Sequence, residues 1–127
     1  MTDMGLFRIT IGVEGARQRS QLVEVHDTLV DTGSDATWIP RSILESLGVG
    51  VEKTRTFIVA DGRRIERSIG YAILHAAGTV TIDEVVFGEE TDFPILGART
   101  LEGMNLRVDP VKKILLDAGP MLAVAAA

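Results

Sequence analysis

Leu29-Val30-Asp31-Thr32-Gly33 is the stretch on which the reading of this chain turns. An apolar pair that reads as the end of a buried strand is followed at once by a carboxylate, a small hydroxyl residue and a glycine, the composition of a tight turn. The acid is thereby placed where a strand leaves the core, which suits a catalytic carboxylate. The triplet alone is a common turn composition, so its meaning depends on what surrounds it.

Upstream, Leu6 to Ile11 alternates partly, Glu14-Gly15-Ala16 interrupts, and Leu22-Val23-Glu24-Val25 resumes toward Leu29-Val30, which predicts a hairpin feeding the Asp31 turn. Downstream, Pro40 suits the first position of a helix running to about Leu47, with Ile43, Leu44 and Leu47 on one face and Gly48 at its C-terminal cap. Thr54 to Ala60 and Arg63 to Ala72 read as strands joined at Asp61-Gly62, a dipeptide favoured in two-residue type I′ hairpins. Further strands are expected near Val80 to Phe87 and Asn105 to Leu116, with a short helix-like segment from Ala98 to Met104.

The 127 residues fit a single domain, which at this size buries about two-thirds of the unfolded chain's surface. Eighteen acidic against 13 basic side chains give a net charge of -5, and no long basic cluster points to nucleic acid. Cysteine is absent, which excludes disulfides and thiolate metal sites. His26 and His75 have no carboxylate partner at ligand spacing and read as ordinary strand residues, so no metal site is assigned. No serine sits in a Gly-x-Ser-x-Gly elbow, and Trp38 reads as packing beside the Asp31 turn. The start carries no basic segment followed by an apolar run, and the apolar tail, residues 118–127, is too short to span a bilayer. A soluble cytoplasmic protein without membrane contact is expected. The tail reads either as an added strand at a dimer interface or as a disordered terminus.

A second motif, Ile95-Leu96-Gly97, is again an apolar pair closed by glycine. Together with Leu29 to Gly33 it resembles the retropepsin-like aspartic peptidases, over roughly residues 5 to 117. The resemblance implies an all-β lobe, a closed β-barrel of the acid protease fold with one or two short helices. It implies Asp31 as catalytic residue, Thr32, Gly33 and Ser34 as its support, and Asp35, Ala60, Asp61, Gly62 and Ile95 as substrate-binding positions. Thr32 is expected to hydrogen-bond across a dimer axis and Ser34 to donate to the Asp31 carboxylate. The hairpin from Phe57 to Ser68 is the candidate flap.

Peptide hydrolysis by this chemistry needs two carboxylates sharing a proton, one to activate water and one to protonate the scissile carbonyl. The chain has a single Asp-Thr/Ser-Gly turn, so the expected active form is a homodimer acting on a peptide or protein substrate, with no cofactor. The alternative is a catalytically inactive peptide-binding or dimerisation module on the same fold. Retroviral relatives commonly place Arg directly after the later glycine, paired with the acid aligned to Asp35. Here that position is Ala98, with Arg99 one residue on, so the pairing is rebuilt, lost or taken by another cation. Asp35 reads equally well as a turn aspartate.

Overall fold

The computed structural model describes residues 6–124. Strands β1 (Phe7–Gly15) and β2 (Gln18–Val30) form the expected hairpin. Their register slips between Ile9↔Thr28 and Ile11↔Val25, where Asp27 takes φ 55°. This bulge bends the long β2 around the core, and the buried Thr28 hydroxyl donates to the Val25 carbonyl at 3.1 Å, satisfying a backbone group beside the distortion. Next come β3 (Thr37–Pro40), α1 (Arg41–Ser46), β4 (Lys53–Ile58), β5 (Arg64–Ala76) and β6 (Thr79–Gly88). The chain then continues through β7 (Ile95–Leu96), α2 (Ala98–Gly103), β8 (Leu106–Asp109) and β9 (Ile114–Asp117).

The sheet runs β1-β2-β7-β3-β6-β5-β4, and β1 also pairs with β5 from Gly12↔His75 to Gly15↔Ala72. That last pairing closes a six-stranded ring, with β4 hanging outside it on β5. Closure leaves the ring no free edges. Inside it Ile11, Val13, Val30, Leu74, Val85 and Phe87 pack with Leu44 of α1 and Leu101 of α2. Where β3 and β6 pair in parallel they are covered on both faces, which is why Trp38-Ile39 and Val85-Val86-Phe87 are apolar without alternation. Ile39, Val85 and Phe87 turn into the ring, while Trp38 and Val86 turn outward with Ile69 to make a second cluster under the β4–β5 hairpin. Among the described residues no helix is long and apolar enough to cross a membrane.

Helix α1 ends as its sequence predicts. Gly48 takes φ +73°, its N–H donates to Glu45 O at 3.1 Å, and the Val49 N–H reaches back to Leu44 O at 2.9 Å. These paired bonds form a Schellman cap, which needs a residue comfortable at positive φ. The helix starts at Arg41 instead of Pro40, whose ψ of 133° is extended.

Two expectations about strands and turns change. The segment from Asn105 to Leu116 is not one strand but the hairpin β8–β9, because Asp109 accepts from the N–H groups of Val111 and Lys112, both at 3.0 Å, and folds Pro110 to Lys113 into a turn. Asp61-Gly62 is not a type I′ turn: Asp61 has no positive φ, and the Gly62 N–H closes on Val59 O at 2.8 Å. The loop is a three-residue connection with Gly62 at φ +86°, the alternative in which glycine follows a type I turn. The type I′ geometry falls instead at Ala77-Gly78, with φ 50° and 77°, between β5 and β6. In the tail, residues 118–124 form no strand and Leu122 is 99% exposed, while 125–127 lie outside the described residues.

Strand β7 is the wedge of the fold. It runs parallel to β2 and antiparallel to β3, and it ends at Gly97, which lies hard against the loop after the Asp31 turn. A Cβ on Gly97 would stand 2.3 Å from the Ala36 carbonyl oxygen and 2.8 Å from that of Ser34. Both obstacles are backbone, which a rotamer change cannot move aside. Gly97→Ala should therefore lose about 2 to 3 kcal/mol of stability, read as a lower urea midpoint at unchanged slope. A loss under about 0.5 kcal/mol, the scale of an ordinary surface change, would mean that the crossing relaxes freely.

Candidate active site

Asp31 leaves β2 just where β7 ends beside it. Its N–H donates to Leu96 O at 3.1 Å, which continues the β2–β7 ladder by one residue and pins the backbone of the acid to the second motif. The turn closes by Ser34 N–H on Asp31 O at 3.1 Å, and the Gly33 N–H donates to Asp31 Oδ1 at 2.9 Å. This side chain to backbone bond fixes the carboxylate's orientation. A Cβ on Gly33 would lie 3.1 Å from that same oxygen, so glycine keeps the space around the carboxylate clear.

Helix α2 is docked on the turn by its unpaired N-terminal groups. The Ala98 N–H donates to Ser34 O at 2.8 Å and the Arg99 N–H to Asp35 O at 3.1 Å, so loop carbonyls do the work of a side-chain cap. Beneath them runs a buried relay. Gly97 N–H donates to Thr37 Oγ1 at 2.9 Å, Thr37 meets Thr100 Oγ1 at 2.6 Å, and Thr100 donates to Asp83 Oδ2 at 2.8 Å. With Thr100 donating to the acid, Thr37 must be the donor in the bond between the two hydroxyls. Sequence reading missed these three residues. They are distant along the chain, and a threonine inside a strand or a short helix carries no signal of its own.

The acid faces a cleft of about 840 Å³. Its lining includes Asp31, Gly33, Ser34, Asp35, Ala60 and Ile95, six of the expected site positions. The β4–β5 hairpin supplies the opposite wall through Phe57, Ile58 and Ile65, while Thr91 to Phe93 close one side. Trp38, 9% exposed, stacks at a tilt on Phe57 with ring centroids 5.0 Å apart, so it both packs beside the turn and underlies the hairpin. Asp61 and Gly62 lie at the hairpin's tip and do not line the cleft; the Asp61 carboxylate folds back on Arg63 at 2.7 Å. Thr32 faces away from the cleft, exposed, next to Ala98 and Leu101, and its hydroxyl has no hydrogen bond among the described residues.

One expected contact is not made, and one pairing left open by the sequence is decided. The Ser34 hydroxyl donates to Ala36 O at 2.9 Å and not to Asp31, because the chain bends there toward β3 and offers a nearer carbonyl. Arg99 does not rebuild a pair with Asp35: its guanidinium lies 3.6 Å from Glu84 Oε1 on β6. His75, read as partnerless, meets Glu14 Oε1 at 2.6 Å across the ring-closing β1–β5 pairing, which brings residues from opposite parts of the chain together. That hydrogen bond, helped by Arg19, holds the Glu14 carboxyl below its usual range.

The hairpin is tied down at its base. Arg67 on β5 forks onto Asp92 at 2.7 and 3.1 Å, with side chains 16% and 13% exposed, and Glu89 N–H adds a bond to the same carboxylate at 2.7 Å. Arg41 at the start of α1 reaches Ser68 Oγ at 3.3 Å and Glu89 at 3.0 Å, with its guanidinium stacked on Phe87.

The sequence matches no protein-family model, and no curated protein matches it. Among solved structures, the fold is similar to that of a retropepsin-like aspartic protease from Rickettsia conorii. The TM-score is 0.53 at 18% sequence identity, over 91% of this chain and 94% of the other. The all-β ring with its two short helices is thus a retropepsin-like lobe.

Burial pushes the Asp92 carboxyl up, but the Arg67 fork and the Glu89 N–H outweigh it and leave it below the usual carboxylate range. A group depressed in the folded state stabilises fully above its unfolded value and loses that contribution as pH falls through the folded one. Asp92→Asn should cost about 2 kcal/mol at pH 7, with the deficit shrinking as pH falls through the lowered folded value of the carboxyl. Denaturant titrations across that range test the sign, and a deficit that stays constant down to pH 2 would locate the effect outside this ion pair.

Proposed function

We propose that the protein is an aspartic endopeptidase, active as a homodimer in which two copies of the Asp31 turn meet about a two-fold axis. The observation that supports this most is the placement of Asp31: backbone bonds from the second motif and from Gly33 hold its carboxylate at the floor of a cleft that a β-hairpin overhangs. The likeness in fold to a retropepsin-like protease points the same way.

In this reading Asp31 and the partner subunit's Asp31 share one proton. The ionised carboxylate takes a proton from water as the water adds to the peptide carbonyl, and the protonated one donates to the carbonyl oxygen. The tetrahedral gem-diol then collapses, and the dyad protonates the leaving amine. No acyl-enzyme forms. Thr32, exposed and free of partners within the described residues, supplies the hydrogen bond across the axis that aligns the two carboxylates. The β4–β5 hairpin offers backbone groups to the bound chain, with Ala60 and Ile95 along the cleft. An inactive peptide-binding module is the second reading, favoured by Asp35, which has no cation within ion-pair distance among the described residues and so differs from the acid it aligns with.

Asp31→Asn is nearly isosteric and removes the shared proton. It should lower peptide cleavage by more than about a thousandfold while sedimentation still shows a folded dimer. Specific activity of the wild type should fall on dilution, because the monomer holds half a site. Wild-type cleavage by the Asn variant would sink the peptidase assignment. Failure of the wild type to cleave unfolded protein from pH 3 to 7, with a statine peptide still bound, would transfer the site to the binding-module reading.

A further inference from the structure

One shoulder of the cleft carries positive charge that the protein's own carboxylates do not neutralise. Glu84 on β6 is hydrogen-bonded by Lys53 of β4, and the guanidiniums of Arg55 and Arg99 stand 3.5 and 3.6 Å from its Oε1. Three cations from β4 and α2 therefore share a single carboxylate. The Lys53 bond holds Glu84 ionised, working against burial, with attraction to Arg55 and Arg99 adding to it.

The two arginines differ from the others near the cleft. Arg67 is engaged in a two-bond fork and its side chain is 16% exposed. Arg55 and Arg99 are 45% and 51% exposed, line the cleft, and sit at ion-pair distance from Glu84 without a hydrogen bond to it. Each guanidinium has five N–H donors arranged to meet a carboxylate along two parallel bonds, and both remain available for that. The acidic groups facing the same cleft are Asp31, Asp35 and Asp92. Asp92 is satisfied by Arg67, so the opposing charge is confined to the turn from Asp31 to Asp35, and the cleft is divided into an acidic floor and a cationic shoulder.

We infer that Arg55 and Arg99 form a subsite for an acidic side chain of the bound peptide, a proposal that rests on the cleft being a peptide site. In the homodimer each half of the cleft carries the subsite, so glutamate or aspartate is selected on both sides of the peptide's centre. The chain's net charge of -5 gives the opposite expectation, a basic partner. The subsite overrides it locally, because exposed charges act over about 8 to 10 Å at ordinary salt and the guanidiniums are within contact range. Selection requires an ionised substrate carboxylate and so strengthens as pH rises through about 4.3, the unperturbed glutamate value.

The test uses the wild-type protein and fluorescent statine-centred peptides, which carry no scissile amide at their centre and have either Glu on both flanks or Gln at the same positions. At pH 6 and low salt the Glu peptide should bind roughly five- to tenfold more tightly than its Gln twin. The ratio should fall toward one at pH 3, in high salt, and in an Arg55→Gln/Arg99→Gln double variant. It should widen in Glu84→Gln, which removes the internal competitor. Equal binding of the twins at pH 6, or an undiminished ratio in the double variant, overturns the subsite while leaving peptide binding intact. No binding of either peptide overturns both the subsite and the reading of the cleft beneath it.

Discussion

The crossing of Gly97 over the Ser34–Ala36 loop is the contact on which the rest of the structure depends. Backbone meets backbone there at a distance that excludes even a methyl group, and everything with chemical potential hangs from the crossing. The approach lets the first N–H groups of α2 reach the carbonyls of residues 34 and 35, and lets the Asp31 N–H complete the ladder from Leu96. The Thr37–Thr100–Asp83 relay braces it from below with hydroxyls that each accept one hydrogen bond and donate one. Buried polar chains of this kind specify one arrangement, because any slippage leaves a desolvated group unpaired.

The wall above the acid is built on different physics. The β4–β5 hairpin is anchored by aromatic contact at Trp38 and Phe57 and by the guarded Arg67–Asp92 fork, while its tip at Ala60 to Gly62 is exposed and held chiefly by its own turn. The hairpin thus has a firm base and a free tip. The depressed carboxyl of Asp92 keeps the anchor intact in mild acid.

Local rules made much of this legible in the sequence. The Asp31 turn, the β1–β2 hairpin and the Gly48 cap are set by residues within a few positions of one another, where turn chemistry and hydrophobic period speak directly. Misreadings arise where one local signal competes with another. Asp61-Gly62 fits two hairpin types, and Asp109-Pro110 interrupts a run that otherwise alternates like a single strand. What the sequence hid lies across the ring. Glu14 with His75, Thr37 with Thr100, and Lys53, Arg55 and Arg99 around Glu84 are partners only once β1 meets β5, β3 meets β7 and β4 folds onto β5. Ser34 shows the same limit on a small scale, since a hydroxyl near a carboxylate took the carbonyl that the backbone brought closer.

The insertion of β7 between β2 and β3 has a consequence for the order in which the molecule is made. Strands β1 to β6 are complete at Gly88, yet the gap between β2 and β3 stays open until Ile95 to Gly97 have been synthesised and slotted in from the far end of the chain. Pairings between distant segments form late, because loop closure must precede the contacts that reward it. A nascent or truncated chain thus carries Asp31 on an unsupported loop, without the Leu96 bond or the α2 dock. The Asp31 turn acquires its bond to Leu96 and its contact with α2 only with these later elements, so the geometry of the candidate site depends on residues more than sixty positions downstream of the acid itself.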